Sequence, residues 1–240
     1  MKEENEKELR ERQEKELVRA YFDFKKSGVF VEVGANEPVS PSSQSWHLEE
    51  KLNWSGLLIE PNPDLAQKAK KNRPKSVVCE CACTSPEKVG PLTLYIPVKN
   101  GQSIAAHAAV AKNIDMHNYK DHAEVRVQAD TLDHLLEKHN VGLVDLLSID
   151  VEGAELDVLR GLDLKKHSPA LILLEDKHVY LFKHRHLKKH GYQLVKRTKQ
   201  NCWYVPKGAK RPPQRLSEKI KIWKRLYVSI WWKKIRLALR

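Results

Sequence analysis

Acidic side chains stand at the ends of short apolar segments, where they can contact a bound ligand. The segment Val29–Val33 is rich in valine and carries Glu32, followed by Gly34, and a second apolar segment, 57–59, ends at Glu60. Such runs predict buried strands, and two parallel strands joined by a helix bind ligands at their carboxyl ends. We expect a nucleoside-containing cofactor there. Glu60 would accept hydrogen bonds from the ribose hydroxyls, and Gly34 would let the ligand approach the backbone.

The turn after the first strand favours S-adenosylmethionine as that cofactor. It reads Gly34-Ala35-Asn36-Glu37-Pro38. A dinucleotide site would show G-x-G-x-x-G, because a pyrophosphate needs several glycines and a helix N-terminus. Acidic charge beside the turn is unfavourable for phosphate but suits the cationic sulfonium and amino groups of S-adenosylmethionine. The alternative is an ordinary strand end of an α/β protein.

A third apolar segment, 144–149, ends at Asp150 and is followed by Glu152. Asp150 is therefore expected at the carboxyl edge of the sheet, beside the cofactor crevice, as the general base of a methyl-transfer reaction. Two alternatives stay open. Asp150 could instead hold its turn through backbone N–H groups, and Asp150 and Glu152 could share a divalent ion, although no feature of the sequence requires a metal.

The least regular part of the chain is 99–123, between the segments 92–98 and 124–129, which predict an added pair of strands. A long irregular loop in a compact domain is usually functional or disordered. We predict a lid over the acceptor, with His107, and then His117, as further candidates for the catalytic base. A plain surface insertion is the alternative.

Length and charge predict one catalytic domain with two extensions. The 240 residues, 41% hydrophobic and 31% charged, suit a single domain at 28–206, an N-terminal helical extension at 1–27 and a basic tail at 207–240. The net charge is +12, and residues 206–240 carry twelve Lys and Arg against Glu218 alone. The four cysteines show no disulfide framework, and no membrane span or signal peptide is evident. We therefore expect a cytoplasmic protein.

The tail predicts an amphipathic helix from Leu216 onward. Leu216, Ile220 and Trp223 fall on one side at helical spacing, and most cations fall on the other. This pattern favours peripheral binding to an anionic membrane through residues 216–240. The alternative is that the apolar side packs on the protein body or on a second subunit.

Three motifs, in order, resemble the FkbM family of S-adenosylmethionine-dependent methyltransferases. They are Val31-Glu32-Val33-Gly34-Ala35-Asn36, the segment from Asn53 to Pro63 that contains Ile59-Glu60-Pro61, and Leu147-Ser148-Ile149-Asp150-Val151-Glu152-Gly153-Ala154-Glu155. The resemblance spans about residues 28 to 205. It implies an α/β class I methyltransferase (Rossmann-like) fold, a three-layer sandwich with a seven-stranded, mostly parallel sheet. The N-terminal helix and the basic amphipathic C-terminal helix would be additions to that fold.

The resemblance also implies O-methylation of a hydroxyl on a saccharide, a lipid-linked glycan or a polyketide-like acceptor. Matching positions would place Glu32, Gly34 and Asn36 at the methionine end of the cofactor, Glu60 at the ribose, and Asp150 and Glu152 towards the methyl group. Ala35, Pro61 and Ala82 complete the expected cofactor contacts. This chain departs from the family pattern at Glu37-Pro38 and at Ser148, where a lysine is common.

Two other functions remain as alternatives. The pI of about 9.4 is compatible with an RNA methyltransferase, although the basic charge is confined to the tail, so nucleic acid is not the expected partner. Pro38, which stiffens the turn, is compatible with an inactive, cofactor-binding membrane scaffold.

Overall fold

The computed structural model describes residues 2–99, 102–103, 121–175, 181–198 and 201–227. The helices are α1 (Lys2–Tyr21), α2 (Trp46–Leu52), α3 (Pro63–Asn72), α4 (Leu132–Lys138), α5 (Glu155–Arg160), α6 (Leu164–His167), α7 (Leu181–Lys189) and α8 (Leu216–Tyr227), with a 3-10 turn at Pro86–Lys88. The strands are β1 (Val29–Val33), β2 (Ser55–Ile59), β3 (Val77–Cys79), β4 (Ala82–Cys83), β5 (Gly90–Lys99), β6 (Gln102–Ser103), β7 (Asp121–Asp130), β8 (Leu146–Ile149), β9 (Leu171–Glu175), β10 (Tyr192–Thr198) and β11 (Asn201–Pro206).

Seven strands form the central sheet in the order β10-β11-β9-β8-β1-β2-β3. β11 runs antiparallel to both of its neighbours, and the other pairings in the sheet are parallel. The order reverses direction between β1 and β8, which is where open α/β sheets bind ligands. The predicted class I methyltransferase fold is thereby confirmed.

Helices cover both faces of this sheet, because its strands carry successive apolar side chains that point to opposite faces. Val31 and Val33 of β1 enter one apolar core, which they share with residues of α4, α5, α6, α7 and α8. Phe30 points to the other core, with residues of α1, α2 and α3. Because successive side chains of a strand face opposite sides, a strand that is apolar at every position fits a sheet buried on both faces.

A second sheet, β4-β7-β5-β6, is formed mainly by the long antiparallel pair β5 and β7. This confirms the added pair of strands predicted at 92–98 and 124–129. The pattern of Val77 to Cys83 predicts one continuous strand, and that prediction is wrong. That segment divides into β3 and β4, which belong to different sheets, and Glu80 between them is held by Lys70 of α3 at 2.8 Å. The three cysteines of this segment are nonetheless buried free thiols.

The N-terminal helix has few apolar residues before Leu17, which predicts docking at its C-terminal end alone, but it docks along more of its length. Val18 and Tyr21 are buried in the core, but Glu14 is buried as well and accepts hydrogen bonds from Asn201 Nδ2 at 3.0 Å and Trp203 Nε1 at 3.3 Å. α1 is therefore tied to the end of the β10–β11 pair. In the described ranges, none of the helices is both long and apolar enough to cross a lipid bilayer.

Candidate active site

The carboxyl ends of β1, β2 and β8 open into one cleft with an empty volume of about 890 Å³. Parallel neighbours end at the same sheet edge, so acids that are far apart in sequence meet there. Every described residue predicted from the sequence for the cofactor or for catalysis lines this cleft: Glu32, Gly34, Ala35, Asn36, Glu60, Pro61, Ala82, Asp150 and Glu152.

Position 34 requires a glycine because the end of the neighbouring strand β8 lies against it. Its φ is +81°, and a Cβ at this position would lie 1.9 Å from the backbone oxygen of Asp150. Asp150 also donates its N–H to the carbonyl of Val33 at 3.0 Å. The sequence interpretation assigned the glycine to the approach of a ligand. The structure shows that it admits the backbone of Asp150, which brings the first and third motifs into contact.

The two carboxylate oxygens of Glu60 hold two turns, the one that follows β1 and the one that follows β2. Oε2 accepts the N–H of Asn36 at 2.7 Å, and Oε1 accepts the N–H of Asn62 at 2.9 Å. Burial raises the pKa of Glu60 above its ordinary value, and the charge of Glu32 adds to this, while the two backbone donors oppose the rise. A carboxylate oxygen has two lone pairs, so each oxygen keeps one acceptor position for a ligand.

Glu32 holds the loop 43–45, which forms another wall of the cleft. Its oxygens accept the Ser43 hydroxyl at 3.0 Å, the backbone N–H of Gln44 at 2.7 Å, and the Ser45 hydroxyl. Glu32 is also buried, with 4% of its surface exposed. It therefore contributes to the cleft mainly by fixing this loop.

Asp150, Glu152 and Glu175 form an acidic cluster in which one carboxylate oxygen of each lies within 4.8 Å of the others. Asp150 is exposed in the cleft, but the surrounding protein reduces the solvation of its carboxylate. Together with the charges of Glu175, Glu152 and Glu155, this raises the pKa of Asp150 well above its ordinary value. Strongly perturbed carboxyl groups in a cleft are typical of catalytic sites.

Comparison with known proteins agrees with this geometry. The family described as methyltransferase FkbM domain matches residues 32–194. The chain belongs to the FkbM methyltransferase family. Both the family and the methyltransferase class predicted from the three motifs are thereby confirmed.

One named relative matches a part of this FkbM domain. A protein described as methyltransferase 1 from Beauveria bassiana is 42% identical over 81 residues, which cover 32% of this chain and 30% of that protein. The chain thus matches less than a third of that relative's length.

Two solved structures match the chain at low sequence identity. The precorrin-6y C5,15-methyltransferase of Geobacter metallireducens has a TM-score of 0.43 and 12% identity, covering 82% of this chain and 87% of its own. The TehB-like S-adenosylmethionine-dependent methyltransferase of Corynebacterium glutamicum has a TM-score of 0.42 and 9% identity, covering 80% and 88%. The fold of this FkbM domain is assigned from its own strand order rather than from these structures.

Arg73, at the end of α3, supports the cleft wall from behind and was not predicted from the sequence. Only 1% of its surface is exposed, and it donates to Glu49 Oε2 at 2.7 Å, to the carbonyl of Pro38 at 2.8 Å and to Ser45 Oγ at 2.9 Å. A single arginine at a helix end carries no local signal of this role. These contacts hold Pro38 and Ser45 of the segment between β1 and α2, which includes the loop 43–45.

A second supporting pair lies behind the acidic cluster. Glu155 accepts the N–H of Gly153 at 2.7 Å through Oε1 and the Lys183 ammonium at 3.0 Å through Oε2. The turn that these bonds hold contains Glu152 at φ 49° and Gly153 at φ 106°, both in the left-handed region. The Glu155 hydrogen bond therefore helps to keep Glu152 in a conformation that its backbone adopts at some cost.

For two further candidate residues, the sequence pattern indicates one and gives no indication of the other. Glu175 ends the apolar strand β9 in the same way as the acids that were chosen, so its pattern could have found it. Gln44 had no signal, yet its amide oxygen is buried beside the cleft and, within the described part of the chain, accepts no hydrogen bond. His107 and His117 lie outside the described residues.

Proposed function

We propose that the protein transfers a methyl group from S-adenosylmethionine to a hydroxyl of a saccharide, with a lipid-linked glycan as the favoured form of that acceptor. One observation carries the proposal. Glu60, whose carboxylate can accept further hydrogen bonds, and the acidic cluster around Asp150 line the same cleft at the switch point of the sheet. The first suits a nucleoside and the second suits proton abstraction.

The cleft fits S-adenosylmethionine in its charge and in its hydrogen-bond acceptors. The remaining lone pairs of Glu60 suit the two ribose hydroxyls, and the orphaned amide oxygen of Gln44 suits a donor such as the cofactor's ammonium group. The acidic lining is favourable for a cationic sulfonium.

When bound, S-adenosylmethionine supplies an electrophilic methyl group on sulfur. The protein's task is to align an acceptor hydroxyl with that methyl group, to exclude water and to accept the hydroxyl proton. Asp150 takes the proton on its carboxylate. Its raised pKa makes it a stronger base than an ordinary aspartate, and brings it closer to the operating pH, where general bases are most efficient.

The same three carboxylates are hard oxygen donors of the kind that bind Mg²⁺ or Ca²⁺. Our proposal assigns proton transfer to Asp150 and needs no metal. Turnover is therefore expected to be unchanged after dialysis against EDTA, measured as S-adenosylhomocysteine release. A loss of turnover that Mg²⁺ restores would instead assign the cluster to a metal ion.

Calorimetric titration with S-adenosylmethionine and S-adenosylhomocysteine tests the cofactor and its ribose contact. We expect both to bind, and Glu60→Ala to weaken binding by about 1.5–3 kcal/mol, the scale of hydrogen bonds to a charged group. Glu37→Ala is the matched control, because Glu37 lies in the turn after β1 but pairs with Lys68 at 3.1 Å and is absent from the cleft lining. A folded protein that binds neither compound would contradict the proposal and favour a scaffold without methyltransferase activity.

The acceptor class is tested by measuring S-adenosylhomocysteine release with free oligosaccharides, a lipid-linked oligosaccharide and an unstructured RNA. Release with a saccharide and not with RNA is the expected result. Release with RNA alone would replace the saccharide proposal with the nucleic-acid alternative.

A further inference from the structure

The described part of the C-terminal helix α8 has two apolar faces, one buried against the core and the other exposed. Leu226 is buried in the main core, and Ile222 packs against it one turn earlier. Leu216, Ile220 and Trp223 are exposed by 72%, 46% and 57%. Their spacing of four and then three residues puts them on one side of the helix. We call these three residues the outer stripe.

The helix is attached so that the outer stripe keeps facing outward. Glu218 accepts the N–H of Arg215 at 3.0 Å and the Lys196 ammonium of β10 at 3.3 Å. The preceding linker is also tied down, since Lys210 pairs with Asp23 at 2.6 Å and Arg211 donates to Gln193 at 2.7 Å. The sequence also allowed the side with Leu216, Ile220 and Trp223 to pack on the body of the protein. Within the described residues that side is exposed, and the side with Ile222 and Leu226 packs on the body instead.

Positive charge surrounds the outer stripe. Residues 207–227 contain eight Lys and Arg and a single acid, Glu218, which is already paired with Lys196. Because successive helical residues are about 100° apart, Lys219 and Lys224 lie on opposite flanks of the stripe. An aromatic and aliphatic stripe with lysines on both flanks is the arrangement of a helix that lies in a lipid headgroup region.

We propose that the outer stripe binds the surface of an anionic lipid bilayer, with Leu216, Ile220 and Trp223 entering the headgroup region and the flanking lysines contacting anionic headgroups. Charge argues for this occupant over the others. A second copy of the chain would bring the same positive surface against itself. A nucleic acid would pair with the lysines but leave the apolar stripe in water.

This inference goes beyond methyl transfer and does not depend on it. It adds that the catalytic cleft works next to a membrane, where a lipid-linked acceptor would be found. Because vesicle binding and cofactor binding are measured separately, failure of one leaves the other interpretable.

Flotation of the full chain with vesicles tests the proposal. We expect recovery with phosphatidylcholine vesicles that contain phosphatidylglycerol, and little recovery with phosphatidylcholine alone or at high salt. Ile220→Ser combined with Trp223→Ser should lower the partition coefficient by about tenfold or more. Leu143→Ser is the matched control, because Leu143 is 74% exposed and lies outside the stripe, so its binding should equal that of the unmodified chain.

Circular dichroism and thermal unfolding verify that both variants are folded. The proposal is overturned if the unmodified chain does not float with anionic vesicles, or if the stripe variant and the control float equally. Binding to RNA without binding to vesicles would likewise overturn it and assign the basic surface to nucleic acid.

Discussion

Glu32 and Asp150 stand at the same edge of the sheet, at the ends of adjacent strands, and have opposite surroundings. Glu32 lies opposite Ser148 in the pairing of β1 with β8, two residues before Asp150. Glu32 is enclosed by donors from loop 43–45, whereas Asp150 faces Glu152 and Glu175. Position at a strand end therefore does not by itself define the role of an acid.

The contrast separates stabilising from reactive carboxylates. Hydrogen bonds to a buried carboxylate stabilise its charged form and hold structure. Neighbouring acids have the reverse effect, because they destabilise the charged form and raise its proton affinity. We therefore expect loss of Glu32 to reduce stability, and loss of Asp150 to reduce activity without reducing stability.

The largest expected effect is that of Asp150→Asn on turnover. Removing a general base should slow methyl transfer by about 10²–10⁴-fold and leave the affinity for S-adenosylmethionine within a few fold. Stability should not fall. Because the pKa of Asp150 is raised in the folded state, ionising it destabilises that state as pH rises above the ordinary carboxyl range. The uncharged amide of asparagine removes this destabilisation. Steady-state kinetics, calorimetry and thermal unfolding at neutral pH measure the three quantities.

The matched control is Asp145→Asn, at the other end of the same strand. Asp145 binds Lys25 at 2.8 Å and the backbone N–H of Val29 at 2.9 Å, so its loss should lower stability and spare turnover. Turnover of Asp150→Asn equal to that of the unmodified protein would remove Asp150 from the mechanism.

A smaller effect is expected from Glu32→Gln. The amide keeps the shape but loses the charge and one acceptor, so the free energy of unfolding should fall by about 1.5–3 kcal/mol. Urea unfolding measures it, with Glu37→Gln as the control, because the exposed Glu37–Lys68 pair contributes only about 0–1 kcal/mol. Equal unfolding midpoints for the two variants would show that the donors around Glu32 do not stabilise the loop.

The smallest effect is a displacement of the pH profile by Glu175→Gln. Turnover requires ionised Asp150, so it is lost as pH falls through the raised pKa of that group. Without the charge of Glu175, the pKa of Asp150 is less raised, and the acid limb of kcat/KM should move to lower pH. The maximal rate should change by less than about tenfold. A profile that does not move, or that moves to higher pH, would contradict the coupling of the two acids.

Much of the site could be predicted because its residues mark the ends of apolar strands. Alternation and apolar runs are local properties, so β1, β2, β8 and β9 were recognisable, and with them Glu32, Glu60 and Asp150. Parallel order then requires these ends to share an edge. Arg73 and Gln44 were not predictable in this way, since their contacts join segments whose proximity no local pattern indicates.

Gly34 was correctly predicted to lie in the site, but the reason inferred from the sequence was incomplete. Its position in the first motif marked it as part of the site, but the backbone of Asp150, more than a hundred residues later, is what excludes a side chain there. The interrupted strand at Glu80 is a similar case. Alternation predicts a strand on both sides of it, and only the contacts with α3 and with β7 decide that the two halves join different sheets.

The sequence by itself determined the strand-end acids, their order along the chain, the family and the amphipathic character of the C-terminal helix, because each of these depends on neighbouring residues. The tertiary structure alone decided that Glu32 is enclosed by donors while Asp150 meets Glu175, and that α8 packs through Ile222 and Leu226 and leaves Trp223 exposed. Charge environment and burial depend on what the rest of the chain brings into contact, and a one-dimensional pattern contains no distances between remote residues.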